Sequence, residues 1–517
     1  MKKHNYIYLG LFLLLFIYYF SIPMNIFWDT GHYMSYVSIL EGTLPWSSWD
    51  IVRGLIFPLI LHVSNIIFGK TTQGILFLSF IFYLIMLFSV KCILDSAILK
   101  EKVKNKKILY ILIFLFVIFD PLIYGYYHAL LTEFIAITIS LVMCYLSFKW
   151  LNVDFNANKK KYIIYSLVFF IGTIFSWHLK QPYVTITLFP VIIASVASII
   201  KLCNLKNIVQ RSITILSCIV GLVASIFLWN QFLISKNIDL NTDRNITSSF
   251  GNQLITGLNN YEIIKDVKQE EIKDSKLLSK KEKKLLKNNN SDYYLINIKN
   301  TNGKLIDQQI ISLNEKNNIS TTTSIIFILK QLFNHPYLIM ESYVSNYLAI
   351  ANLYPKVSND GVNYKVEKEL ALDYCHENCT IAISVASEKS NISYMLEESY
   401  NRVVNYEQYN DSPIVLRYLL KGLSFITTNL YKIVVILLPL LVILSTISFI
   451  KNHKDKYNNL LNIVFILSWY SLLHILVHVV TGACIDRYAS PAYITIILSF
   501  ILYIYYIIKT KIIIKEK

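Results

Sequence analysis

Asp29, Arg53, His128, Glu133, His178, Lys180, Asp486 and Arg487 fall at the ends of apolar runs or in the short loops that join them. Charge beside hydrocarbon is costly and usually functional. The types are complementary. A carboxylate such as Asp29, in FWDTGHYMSYVSILEG, can accept a proton from a hydroxyl. Arg and Lys can bind a phosphate and stabilise the charge it develops as a leaving group. Arg53 and Arg487 offer a planar fork, and Lys180 a mobile point charge. Each has a plainer reading as well. Asp29 would then be an ordinary loop aspartate, Glu133 a carboxylate at a helix N-terminus, and Asp486 and Arg487 a local ion pair. Trp28, Tyr33, Trp46 and Trp49 would stack on the rings of a sugar-like ligand or anchor at a membrane interface. His474 and His478 are four apart on one helical face but lack a third metal ligand, so they read as polar packing.

Membrane helices must position these groups. The chain has 517 residues, 55% of them hydrophobic, in repeated apolar runs of about 17–20 residues, each enough to cross a bilayer. The run 6–22 is preceded by Lys2 and Lys3 and lacks a small-residue cleavage site after it, so it reads as a first span entering from the cytoplasm. The net charge of +16 is a matter of topology, not of nucleic-acid binding. Segment 235–416 holds 20 basic and 22 acidic residues, which leaves 29 basic and 11 acidic to the rest. That excess lies in short loops, as the positive-inside bias requires. All basic clusters are cytoplasmic only if 55–68, interrupted by Pro58, His62 and Asn65, lies in the outer leaflet without crossing. Spans are then expected near 6–22, 74–93, 108–122, 133–149, 162–177, 183–200, 212–234, 433–450, 458–478 and 491–508.

The expected fold is therefore an all-α polytopic membrane protein with about ten transmembrane helices, one outer-face interfacial helix and both termini in the cytoplasm. Its parts are an N-terminal transmembrane core 1–234 with a first outer loop 25–69, an extracytoplasmic insertion 235–416, and C-terminal helices 417–517. Within the insertion, 324–348 is amphipathic with a break at His335-Pro336; it would lie on the membrane surface or cap a cavity. Cys375 and Cys379, in DYCHENCT, would face the oxidising side, as a disulfide or as two free thiols.

At these residues the chain resembles the GT-C superfamily of integral-membrane glycosyltransferases, and most of all protein O-mannosyltransferases and aminoarabinose transferases that use polyprenyl-phosphate sugars. In that family a first outer loop carries an acid, usually Asp-Glu, followed by Tyr and Gly; Asp29, Tyr33 and Gly42 match, with Thr30 in place of the second acid. RGLIFPLILHVSNIIFG, from Arg53 to Gly69, resembles the basic residue and interfacial helix that follow. Glu133 matches an acid that begins the fourth span, LKQPYVTITLFP a Lys-Pro turn at Lys180, and Arg487, Tyr488 and Pro491 an Arg-Tyr-x-x-Pro before a late span. The resemblance covers about residues 1–234 and 430–508.

It implies transfer of a sugar from a polyprenyl-phosphate donor to a cell-envelope glycan, lipid or protein at the outer face of the cytoplasmic membrane. Asp29 would be the base and Glu133 an orienting acid; Tyr33, Arg53, Lys180, Arg487 and Tyr488 would bind substrate. No metal ligand set is assigned, although a divalent ion stays open. Two rivals remain: a polysaccharide polymerase or ligase using a lipid-diphosphate-linked glycan, and an envelope-precursor transporter. The second is disfavoured because the span centres carry almost no charge.

Overall fold

The computed structural model describes residues 12–20, 28–50, 53–99, 106–153, 155–202, 205–238, 250–264, 272, 275–288, 293–300, 302–313, 319–351, 414–452, 459–482 and 486–515. Among the described residues, eight helical stretches are long and apolar enough to cross a membrane: Gln73–Ile98, Glu133–Leu151, Lys159–Leu179, Gln181–Lys201, Ile208–Ser235, Phe425–Lys451, Asn459–Val480 and Ser490–Thr510. The protein is a multi-pass membrane protein, and these stretches coincide with eight of the expected spans. Of 6–22, only 12–20 is described, as helix. The stretch expected at 108–122 is divided: one helix ends at Phe119, and a short one starts at Pro121 after Asp120.

The helices used below are α1 (Trp28–Leu40), α2 (Ile56–Phe68), α3 (Thr72–Leu94), α4 (Lys106–Phe119), α5 (Pro121–Tyr127), α6 (Glu133–Leu151), α7 (Lys159–Leu179), α8 (Thr185–Leu202) and α9 (Leu205–Ser235). Helix α2 has 13 residues. At 1.5 Å per residue it rises about 20 Å, short of a hydrocarbon core of about 30 Å.

Packing divides the chain into two compact units, one from the described residues of Met1–Trp229, Leu353–His474 and Ser490–Lys517, the other from Asn230–Asn352 and Ile475–Ala489. In the first unit α6 is a central helix, packed on α3 and α8. It is mostly buried, whereas α9 is mostly exposed and apolar along its membrane-length stretch. Small hydroxyls fasten the buried faces: Ser140 Oγ donates to the Pro491 carbonyl (2.7 Å), and Ser176 and Thr187 share a hydrogen bond (2.9 Å). Thr71 accepts the Gly74 N–H and caps the start of α3. Past the far end of α6, the carbonyls of Trp150, Leu151 and Val153 accept from Arg211 Nη2 at 3.1–3.2 Å, that of Trp150 alongside the Val153 N–H. The guanidinium also covers the Trp150 ring at 4.3 Å.

The second unit adds a sheet to the helical expectation. After α10 (Phe250–Thr256) come β1 (Tyr261–Ile264), α11 (Lys280–Asn288), β2 (Tyr293–Lys299) and β3 (Leu305–Ser312). The strands form an antiparallel sheet in the order β1-β2-β3, with Tyr261 opposite Ile298 and Tyr293 opposite Ser312. Both faces of β2 are covered. Tyr294, Ile296 and Ile298 pack with residues of α10 and of the following helices α12 (Thr321–Asn334) and α13 (Pro336–Ala351). Leu295, pointing the other way, meets Ile272, Leu278 and Leu286. Ser320 caps α12 by accepting the Thr323 N–H (3.1 Å), and the chain breaks at His335 before Pro336 starts α13. The remaining long helices are α14 (Ile414–Lys451), α15 (Asn459–Val480) and α16 (Tyr493–Lys515). Cys375 and Cys379 lie outside the described residues.

Candidate functional site

Asp29 occupies the first turn of α1, and its side chain is outside the described residues. The next residue fixes where that turn goes. Thr30 Oγ1 donates to the Leu130 carbonyl at 3.0 Å, and Thr30 is fully buried. The start of α1 is thereby tied to the loop that leads into Glu133. His128 anchors the same loop, with Nδ1 2.9 Å from the Tyr124 carbonyl and Nε2 2.8 Å from that of Tyr19. Burial lowers its pKa to about 4, so the ring is neutral at physiological pH and donates to one of the two carbonyls at a time.

Arg53 reaches back to α1. Its Nη1 donates to Tyr33 Oη (3.2 Å), with the guanidinium carbon 5.4 Å from the centre of that ring. Trp49 Nε1 donates to the Arg53 carbonyl at 3.1 Å and holds the loop. Gly54 presses this loop onto the end of α7. A Cβ there would lie 1.8 Å from the His178 carbonyl oxygen, so only glycine permits the approach. Aromatic contacts run from Tyr33 to Phe57 (4.7 Å) and from Phe57 to Phe134 (6.0 Å), the neighbour of Glu133.

Glu133 begins α6 with a fully buried side chain. Lys180 Nζ stands 3.2 Å from its Oε1, and Thr132 Oγ1 donates to Oε2 at 3.2 Å. Lys180 sits in extended backbone where α7 ends, before a tight turn at Gln181–Val184, and its ammonium lies 5.4 Å from the Tyr183 ring. The turn is braced by Thr185, whose Oγ1 is 2.9 Å from His474 Nδ1. Thus Tyr33 and Arg53 are brought together, as are Glu133 and Lys180, and the loop at Gly54 and the end of α7 join the two pairs. His178 is engaged elsewhere, through Nε2 to Ser225 Oγ at 2.8 Å.

Arg487 and Tyr488 belong to the second unit, in the single helical turn Asp486–Ala489. The Arg487 side chain, and with it the ion pair to Asp486, is outside the described residues. Tyr488 stacks on His478 at 5.7 Å. Among the described residues, no group of three His, Cys, Asp or Glu side chains is arranged to hold a metal ion.

Sequence reasoning missed Thr132 and the bracing role of Thr30, which had registered only as the absence of a second acid. The place of Thr132 directly before a helix start suggests a cap, but the structure turns its hydroxyl to the Glu133 carboxylate and not to the helix N–H groups. Compared with protein-family models, curated proteins and solved structures, the chain matches none.

Proposed function

We propose that the chain is an inverting-type integral-membrane glycosyltransferase that moves a sugar from a polyprenyl phosphate to a cell-envelope acceptor. The observation that carries this reading is the buried Glu133–Lys180 pair beside the loop that bears Arg53. A cation held by a buried carboxylate is preorganised: it meets developing negative charge without moving or shedding water.

In the proposed step Asp29 takes the proton of an acceptor hydroxyl. The oxygen attacks the anomeric carbon, the bond from that carbon to the phosphate oxygen breaks, and its electron pair leaves with the polyprenyl phosphate. Arg53 and Lys180 bind that phosphate. Glu133, engaged with Lys180 and Thr132, acts as a positioning residue and not as a second base. Tyr33 orients Arg53 through the hydroxyl that accepts its N–H.

The test is transfer by purified protein in bilayers with a labelled polyprenyl-phosphate sugar, measured alongside donor affinity. Asp29→Asn removes the base at nearly constant size, so transfer falls by roughly 10²–10⁴ while donor binding stays. Arg53→Ala weakens donor binding instead. Undiminished transfer by Asp29→Asn would end the assignment.

A further inference from the structure

Helices α12 and α13 form a hairpin with two contrasting sides. Phe327, Gln331, Leu338, Ile339, Ser342 and Asn346 are buried toward the second unit. On the outer side Ile326, Leu329, Phe333, Tyr337, Met340 and Val344 are exposed, Phe333 to 85% and Tyr337 to 70%. These two aromatics flank the His335-Pro336 corner. Lys330 is the exposed charge on α12, and its long stem lets the ammonium reach away from an apolar surface. A helix facing water would alternate such residues with charges; a continuous apolar face marks a surface that something covers.

What covers it follows from how the hairpin is fastened. The second unit contains the last turns of two membrane-length helices, 230–235 of α9 and 475–480 of α15. Asn346, on α13, donates from Nδ2 to the Val479 carbonyl (3.0 Å) in the final turn of α15, and to the Gly257 carbonyl (2.7 Å). The backbone is equally close there: a Cβ on Gly257 would lie 2.6 Å from the Val480 carbonyl oxygen. The hairpin is thus fastened directly to the end of a membrane-length helix. At 14 and 16 residues, the helices rise about 21 and 24 Å, too short to span about 30 Å of hydrocarbon.

We infer that the α12–α13 hairpin is a monotopic lipid-embedded element, whose outer face takes the acyl chains of one leaflet while Asn346 holds it at the rim of α15. With one lysine on that face, recognition is by hydrocarbon and does not depend on anionic head groups.

The full-length protein in phosphatidylcholine bilayers containing a phospholipid with an acyl-chain diazirine tests this directly. After photolysis, mass spectrometry is expected to find lipid adducts on the outer residues between 325 and 348, with a yield unchanged by added anionic lipid. Adducts on the exposed residues of α9 serve as the internal standard. Phe333→Asp combined with Tyr337→Asp removes adducts from the hairpin and leaves those on α9. Adducts on α9 with none on the wild-type hairpin would put the face in water and overturn the inference. Cross-links from a photoreactive residue at position 333 to segment 352–413 or to a second copy, with no lipid adduct, overturn it equally, because protein then covers the face.

Discussion

Replacing Glu133 by Gln leaves the Lys180 ammonium in a site nearly closed to water, with its side chain 10% exposed. At the observed 3.2 Å, an effective dielectric of about 20 makes the attraction in the intact pair about 5 kcal/mol before desolvation is counted. Much of that offsets the removal of two charges from water, so the net value of the pair is small. Breaking it from one side is different. Glu133→Gln, or Lys180→Met, removes one member of the buried pair and is expected to cost about 3–5 kcal/mol. The double variant removes both and costs well below the sum, with a coupling energy toward the top of the range of about 0.5–3 kcal/mol. Unfolding of the four proteins in one detergent, by heat or by denaturant titration, provides the cycle. The thermodynamic and catalytic roles separate in the transfer assay, where even the stable double variant has lost its oriented cation and turns over poorly. If each single variant costs less than about 1 kcal/mol, as an exposed ion pair does, and the two simply add, the buried-pair reasoning fails.

Three further outcomes are expected. Gly54→Ala places a Cβ on the His178 backbone; the Arg53 loop must lift, and the yield of monodisperse protein on size exclusion should drop sharply, whereas retention of wild-type yield and donor affinity would refute the close packing. Arg211→Met removes the guanidinium from three carbonyls at the end of α6, of which that of Trp150 keeps the Val153 N–H, and should cost roughly 1–3 kcal/mol, with Arg211→Lys recovering only part because it lacks the fork. His128 gives a pH dependence of defined sign. Its folded pKa of about 4 lies below the ordinary value of about 6.5, so between those values the unfolded chain binds more protons. Stability is full above about pH 6.5 and is lost as pH falls toward 4, by at most about 1.4 kcal/mol per unit. The His128→Asn slope between pH 5 and 6.5 should be shallower, and equal slopes would remove His128 as the cause.

Apolar length and its interruptions were enough to locate most of the membrane helices, because a span needs only a run of side chains that water rejects, and that requirement is local. The same local logic marked 55–68 as short and interrupted, where the structure has a 13-residue helix, and found the break at His335-Pro336, where the missing proline N–H and its clash with the preceding residue end the helix. Candidate site residues were legible as types, since a charge next to hydrocarbon is conspicuous. Their partners were not. Glu133 and Lys180 are 47 residues apart, and Arg211 reaches carbonyls about 60 residues earlier; neither pairing has a periodic trace in the chain.

The sheet was missed for a related reason. Strand β2 is buried on both faces and set among Lys- and Asn-rich segments, so overall polarity hid a short core element that is stable only when β1, β3 and the helices cover it. The association of 475–489 with the unit built from 230–352 is likewise a tertiary result. It depends on the contact between Gly257 and the end of α15, which is available only once both segments are folded. Sequence determined which segments leave water; tertiary structure decided which buried polar groups satisfy one another, because that choice depends on geometry between segments and not on composition within them.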